Sequence, residues 1–173
     1  MGKTTLITGG VRSGKSAYAL CCAEEYSGEK AFIATAVPFD SEMKERVKKH
    51  QFERGNRFLT VEEPYELYKS ISAMNDSIAV IVIDCLTVWL GNLFYKYNND
   101  VKIINEEIEM FVCSIKQSKI DFYIVTNEVG WGIVPDNELS RSFRDCNGFM
   151  NQKMAACADN VYLCTCGIPL KIK

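Results

Sequence analysis

Histidine is almost absent: His50 is the single one in 173 residues. That scarcity decides how the eight cysteines are read. Cys164 and Cys166 form one close pair, but no second pair and no spare imidazole exist to complete a zinc site. Cys21 and Cys22 lie side by side in a predicted helix, and Cys85, Cys113, Cys146 and Cys157 are scattered. Most have Ala, Val, Leu or Ile as neighbours, where a thiol packs as a small apolar group, so reduced structural cysteines are expected. Cys85, beside Asp84, is the one whose neighbourhood matters. An excess of positive charge is also missing. Twenty Lys and Arg stand against 22 Asp and Glu, a net charge of −2, which argues against nucleic acid as a partner. No apolar run approaches the roughly 18–20 residues of a membrane span, since Ile78–Ile83 is cut off by Asp84. The N-terminus runs straight into a strand, leaving no room for a signal peptide, so the expected compartment is the cytoplasm. Nothing repeats and no low-complexity linker divides the chain. With 47% hydrophobic residues and 24% charged ones, residues 1–173 are expected to form one domain.

What the chain does have is an uninterrupted phosphate-binding loop: Gly9, Gly10, Val11, Arg12, Ser13, Gly14, Lys15 and Ser16, spelling G-x-x-x-x-G-K-S. The apolar run Thr4–Thr8 precedes it and the helical stretch Ala17–Leu20 follows, which is the strand–loop–helix setting the motif requires. Glycines let the backbone curl so that successive N–H groups point at a phosphate, and the helix dipole adds to the same spot. Lys15 reaches the β- and γ-phosphates as a point charge, and the Ser16 hydroxyl is placed to ligate magnesium. The loop predicts a nucleoside triphosphate as ligand.

Along the rest of the chain, strands alternate with helices. Strands are predicted at Thr4–Thr8, Lys30–Thr35, Phe58–Val61, Ile78–Ile83, Phe122–Thr126, Val161–Cys164 and Ile168–Ile172. Helices are predicted from Lys15 to about Tyr26, over Ser41–Arg54, from Pro64 through Ile71, over Leu86–Leu93, over Val101–Lys116 and over Glu138–Ala158. Ile78–Ile83 is a continuous apolar run of the kind buried on both faces. Such alternation predicts an α/β fold of P-loop NTPase type, a mainly parallel sheet with helices on both faces.

In such a sheet ligands bind beyond the carboxyl ends of the strands. Asp84 ends one of them, where a P-loop enzyme keeps the acid that holds or orients magnesium; a helix N-cap is the plainer reading. Thr35 and Ala36 end another. The segment Thr126–Pro135 carries two glycines and an exposed tryptophan directly after a buried strand, in a position either to grip a substrate or simply to turn the chain. His50 fits a helix residue packed beside Val47, and it also fits a neutral nucleophile with Arg46, Lys48, Lys49 and Arg54 around it to receive a phosphate. Residue pattern alone leaves both open.

Longer strings resolve this by likeness. The loop with its arginine, Phe32–Thr35, Asp40–Met43 leading to Arg46 and His50, Thr60–Glu62, the string Thr126–Pro135, Arg141 with Phe143–Asp145, and Asn151-Gln152 through Lys171 together resemble the bifunctional adenosylcobinamide kinase / adenosylcobinamide-phosphate guanylyltransferases of cobalamin biosynthesis. Two positions depart from a known member of that family: Lys49-His50 stands where it has a pair of histidines, and Asp84 where it has a glutamate. The resemblance implies two reactions. ATP or GTP, with magnesium on Ser16 and Asp84, gives its γ-phosphoryl group to adenosylcobinamide, with Lys15 catalytic. The catalytic His50 then takes GMP from GTP and passes it to adenosylcobinamide phosphate. It also implies nucleotide contacts at Ala34, Thr35, Ala36, His50, Gln51, Phe52, Glu53, Glu62 and Asp84, and a homotrimer. A small-molecule kinase with no use for His50, or a nucleotide-dependent switch, would carry the same loop.

Overall fold

A computed structural model describes residues 1–38, 45 and 55–173. The predicted helix over Ser41–Arg54, with His50, Gln51, Phe52 and Glu53, lies outside these apart from Glu45. Seven strands form a single sheet: β1 (Thr4–Gly9), β2 (Glu29–Ala34), β3 (Leu59–Glu62), β4 (Ile78–Asp84), β5 (Asp121–Val125), β6 (Asn160–Thr165) and β7 (Ile168–Lys171). Their order across the sheet is β3-β2-β4-β5-β1-β6-β7. Every neighbouring pair is parallel except β6 and β7, which make an antiparallel hairpin. The helices are α1 (Lys15–Glu24), α2 (Leu67–Ser72), α3 (Leu86–Lys96), α4 (Val101–Gln117) and α5 (Glu138–Cys157).

Alternation along the strands divides the core in two. Leu6, Ile33, Ile81, Ile83 and Ile124 point to one face, where α2, α3, α4 and α5 cover them with Leu67, Trp89, Phe111 and Met150. Ile7, Phe32, Val80, Val82 and Val125 point to the other, against Ala19, Leu20 and Ala23 of α1. β4 is apolar on both sides because helices lie on both sides, as its run of β-branched residues requires.

The elements fall within a few residues of the sequence expectation, and one start differs. Pro64 does not open α2, which begins at Leu67. The Glu63 carboxylate accepts from the backbone N–H groups of Tyr65 and Glu66, both at 2.8 Å, so a side-chain-closed turn outcompetes the first helical turn.

Register fixes what meets at the sheet's carboxyl edge. Glu62, Ala34, Asp84, Val125 and Ile7 form one lateral row across β3, β2, β4, β5 and β1. With strands about 4.8 Å apart, Asp84 stands about 10 Å from β1 and Glu62 about 19 Å.

Candidate active site

The loop between β1 and α1 has the shape its sequence predicts. Gly9 and Gly14 hold φ of 145° and 95°, values that a side chain opposes. Space excludes a side chain at Gly9 as well, where a Cβ would sit 2.3 Å from the Cys164 carbonyl oxygen, and is tight at Gly14, where one would sit 3.0 Å from the Gly167 Cα. The β6–β7 turn therefore braces the loop from beneath, and the Gly167 N–H donates to the Ser13 carbonyl at 3.1 Å. Gly10, Val11 and Arg12 form an exposed rim. Gly14 caps α1 with no side-chain hydrogen bond and no acid lies in the first turn, so the helix's leading N–H groups are left for an anion.

Lys15 is 6% exposed, and its ammonium donates to the carbonyls of Gly9 (3.1 Å) and Gly10 (2.5 Å) and to Ser13 Oγ (3.3 Å). It is pre-positioned by the loop it serves. Burial lowers its pKa from the ordinary 10.5, while nearby Cys85 and Asp84 act in the opposite direction. The acid closing β4 is thus within electrostatic reach of the loop lysine. The alternative role for Asp84 falls away: Cys85 caps α3, its Sγ accepting from the Val88 N–H at 3.5 Å. Burial, with Asp84 beside it, pushes the Cys85 thiol up to about 12, so it is a neutral capping group. All eight cysteines are free thiols; Cys85, Cys146 and Cys164 are buried, whereas Cys21, Cys113 and Cys166 are exposed and not packed as expected.

For magnesium the donors fit. Ser16 and Asp84, both half-buried, offer a hydroxyl and a carboxylate, hard oxygen ligands suited to this ion. No group of three or more His, Cys, Asp or Glu able to hold a metal occurs among the described residues. A magnesium here would accordingly take its other ligands from phosphate and water.

At the end of β2, Thr35 is fully buried, and its hydroxyl is committed: it donates to the Cys85 carbonyl (2.9 Å) and accepts from the Cys85 N–H (2.8 Å). Its own carbonyl accepts from Asn92 at 2.7 Å. Thr35 thereby fixes the turn that follows Asp84, leaving the half-buried Ala34 and Ala36 beside it. Glu62 is exposed at the end of β3.

On the α5 side of β1, a polar network was not foreseen. Thr8 donates to Glu128 Oε1 at 2.6 Å, and Asn151 donates to the same oxygen at 3.2 Å. Asn151 also donates to the Asn127 carbonyl and accepts from Thr126, and Asn147 donates to that carbonyl too. Thr87, at the start of α3, donates to Asn147 and accepts from the Asn127 N–H. Thr8, Thr126, Asn147 and Asn151 are all buried. The legible signal is two asparagines four apart on a helix face otherwise holding Cys146, Met150 and Met154. Beyond the network, Val129–Trp131 makes a single 3-10 turn, with Trp131 71% exposed as expected. Arg141 holds the segment's far end through the Pro135 and Asp136 carbonyls.

Sheet order, loop and strand-end acid define a P-loop nucleotide-binding α/β protein, and solved structures agree on the fold. A KaiC-like protein from Pyrococcus horikoshii OT3 superposes with a TM-score of 0.53 at 15% identity, over 94% of this chain and 70% of that one. The RadB recombinase does so at 0.52 and 14%, over 94% and 74%. Sequence narrows the class. Residues 5–172 match the family described as cobinamide kinase / cobinamide phosphate guanyltransferase, and the chain belongs to that family. It is 36% identical over 179 residues to the bifunctional adenosylcobalamin biosynthesis protein CobU of Escherichia coli (strain K12), covering 97% of this chain and 98% of that protein. Against the bifunctional CobP of Pseudomonas aeruginosa, identity is 34% over 168 residues, covering 97% and 96%.

Proposed function

We propose that residues 1–173 act as one bifunctional domain that phosphorylates adenosylcobinamide and then guanylylates the product, making adenosylcobinamide-GDP. The observation that carries this is the braced loop with Lys15 buried and within reach of Asp84, in a chain of this family. In the first step ATP or GTP lies with its phosphates on Gly9, Gly10, Val11, Arg12, Ser13, Gly14 and Ser16. Lys15 turns from the Gly9 and Gly10 carbonyls to the β- and γ-phosphates, where it stabilises charge gathering in the transition state. Ser16 and Asp84 would hold magnesium, which supplies charge neutralisation on the phosphate oxygens. In the second step His50 attacks the α-phosphorus of GTP and the bond to pyrophosphate breaks. The corrinoid phosphate then attacks the same phosphorus, the P–N bond breaks, and His50 is restored. Ala34, Thr35, Ala36, Gln51, Phe52, Glu53 and Glu62 complete the nucleotide contacts in this reading, Thr35 by holding the turn after Asp84. The assembly is a cytoplasmic homotrimer; among the described residues no helix is long and apolar enough to cross a membrane.

Incubation with α-labelled GTP is the decisive experiment. It should leave an acid-labile, base-stable label on the wild-type protein and none on His50→Ala, which still phosphorylates adenosylcobinamide. A stable adduct on His50→Ala would overturn the assignment, and light scattering that gives a monomer would remove the trimer.

A further inference from the structure

Glu128 stands three residues beyond the end of β5, the strand that separates the phosphate loop from Asp84. β5 lies between β1 and β4, and the Glu128 N–H donates to the Gly9 carbonyl at 3.2 Å, tying this residue to the first residue of the loop. Its side chain is held by one oxygen only. Oε1 takes both hydrogen bonds, from the buried Thr8 and Asn151, and Asn151 is further fixed by bonds to Thr126 and Asn127. Oε2 takes none, and no lysine or arginine pairs with the carboxylate among the described residues. Glu128 is also only half-buried. The result is an oriented carboxylate with one uncommitted oxygen, supported by neutral donors that do not cancel its charge. Other acids near the edge are differently engaged: Glu63 spends both oxygens on Tyr65, Glu66 and Ser70, and Glu62 lies four strands from β1.

We propose that Glu128 is the general base of the phosphoryl-transfer step, an inference resting on the kinase reading above. As the hydroxyl oxygen of the corrinoid's side chain attacks the γ-phosphorus, its proton passes to Glu128 Oε2. The bond from the γ-phosphorus to the β-bridging oxygen breaks, and the nucleoside diphosphate leaves with that electron pair. Guanylyl transfer to His50 involves no hydroxyl proton and has no need of this base.

Glu128→Gln tests it, because an amide oxygen can still accept from Thr8 and Asn151 while losing basicity. Phosphorylation of adenosylcobinamide should lose about 10²–10⁴-fold in kcat. KM for the nucleotide should change by less than about threefold, and label from α-labelled GTP should reach wild-type level. Thr8→Val, which keeps the carboxylate but frees it, should cost kcat about tenfold with unchanged KM. A Glu128→Gln kcat within about threefold of wild type would sink the inference, as would a loss confined to nucleotide or magnesium affinity. Wild-type protein that transfers no phosphoryl group to the corrinoid would remove the kinase reading, and this base with it; normal wild-type transfer beside a normal Glu128→Gln removes the base alone.

Discussion

Two polar assemblies flank the end of β1, and they are built in opposite ways. The phosphate loop is eight consecutive residues whose shape follows from two glycines, a lysine and the helix behind them. The network around Glu128 draws Thr8 from β1, Thr87 from α3, Thr126 to Glu128 from the end of β5, and Asn147 and Asn151 from α5. In the loop, backbone groups present a place for an anion and leave it open. In the network, side chains satisfy one another in a buried setting, where an unmet polar group would cost about 1–3 kcal/mol. One assembly is made to bind; the other is made to hold a single carboxylate still.

The largest effect should come from the loop. Lys15→Ala is expected to depress both reactions by about three orders of magnitude or more while the fold, read by circular dichroism, stays intact. A folded variant with near-normal kinase turnover would break the distinction between a binding loop and a merely structural turn. Asp84→Asn should come next. The magnesium-dependent rates should fall about 10²-fold while nucleotide affinity without metal changes little, measured by titration with and without the ion. Equal losses in both conditions would assign Asp84 to packing instead.

Asn151→Leu probes the other assembly. It removes the acceptor of the buried Thr126 hydroxyl, one of the two amides donating to the Asn127 carbonyl and one support of Glu128, so it should destabilise the protein by about 1–3 kcal/mol in urea and slow phosphorylation more than guanylylation. A loss of stability with both rates untouched would make the network a scaffold and nothing more. The smallest effect belongs to Cys85. Its thiol titrates at about 12 when folded against 9.0 ordinarily, so the folded state keeps a proton the unfolded chain gives up. Stability should therefore decline as pH rises from about 9 towards 12, and Cys85→Ala should decline less steeply; identical slopes would refute the burial of this thiol. At neutral pH iodoacetamide should modify the exposed Cys21, Cys113 and Cys166 and spare Cys85.

How far each assembly was legible follows from how it is built. Contiguous signals carried the loop, the strand Ile78–Asp84 with its terminal acid, and the long α5, because each needs only neighbours within a turn or a strand. Pro64 misled, since its preference for a first helical turn lost to the Glu63 carboxylate closing a tighter turn. Asp84 fits either a magnesium-holding acid or a helix cap by sequence, and the cap of α3 is Cys85 instead. Thr35 gave no hint of its clamp, because its partner is fifty residues away.

By itself, then, the sequence determined the α/β alternation, the anion-binding loop and the residues available for chemistry. These rest on local backbone geometry and on side-chain types that act where they stand. Strand order was a matter for tertiary structure alone. By placing β5 between β1 and β4, packing brings Glu128 against Gly9; the pairing of β3, β2 and β4 aligns Glu62, Ala34 and Asp84 on one edge, and α5 brings Asn147 and Asn151 onto the Asn127 carbonyl. Hydrogen bonds across more than a hundred residues of chain form only when the sheet has closed the distance, and no spacing within the sequence encodes them.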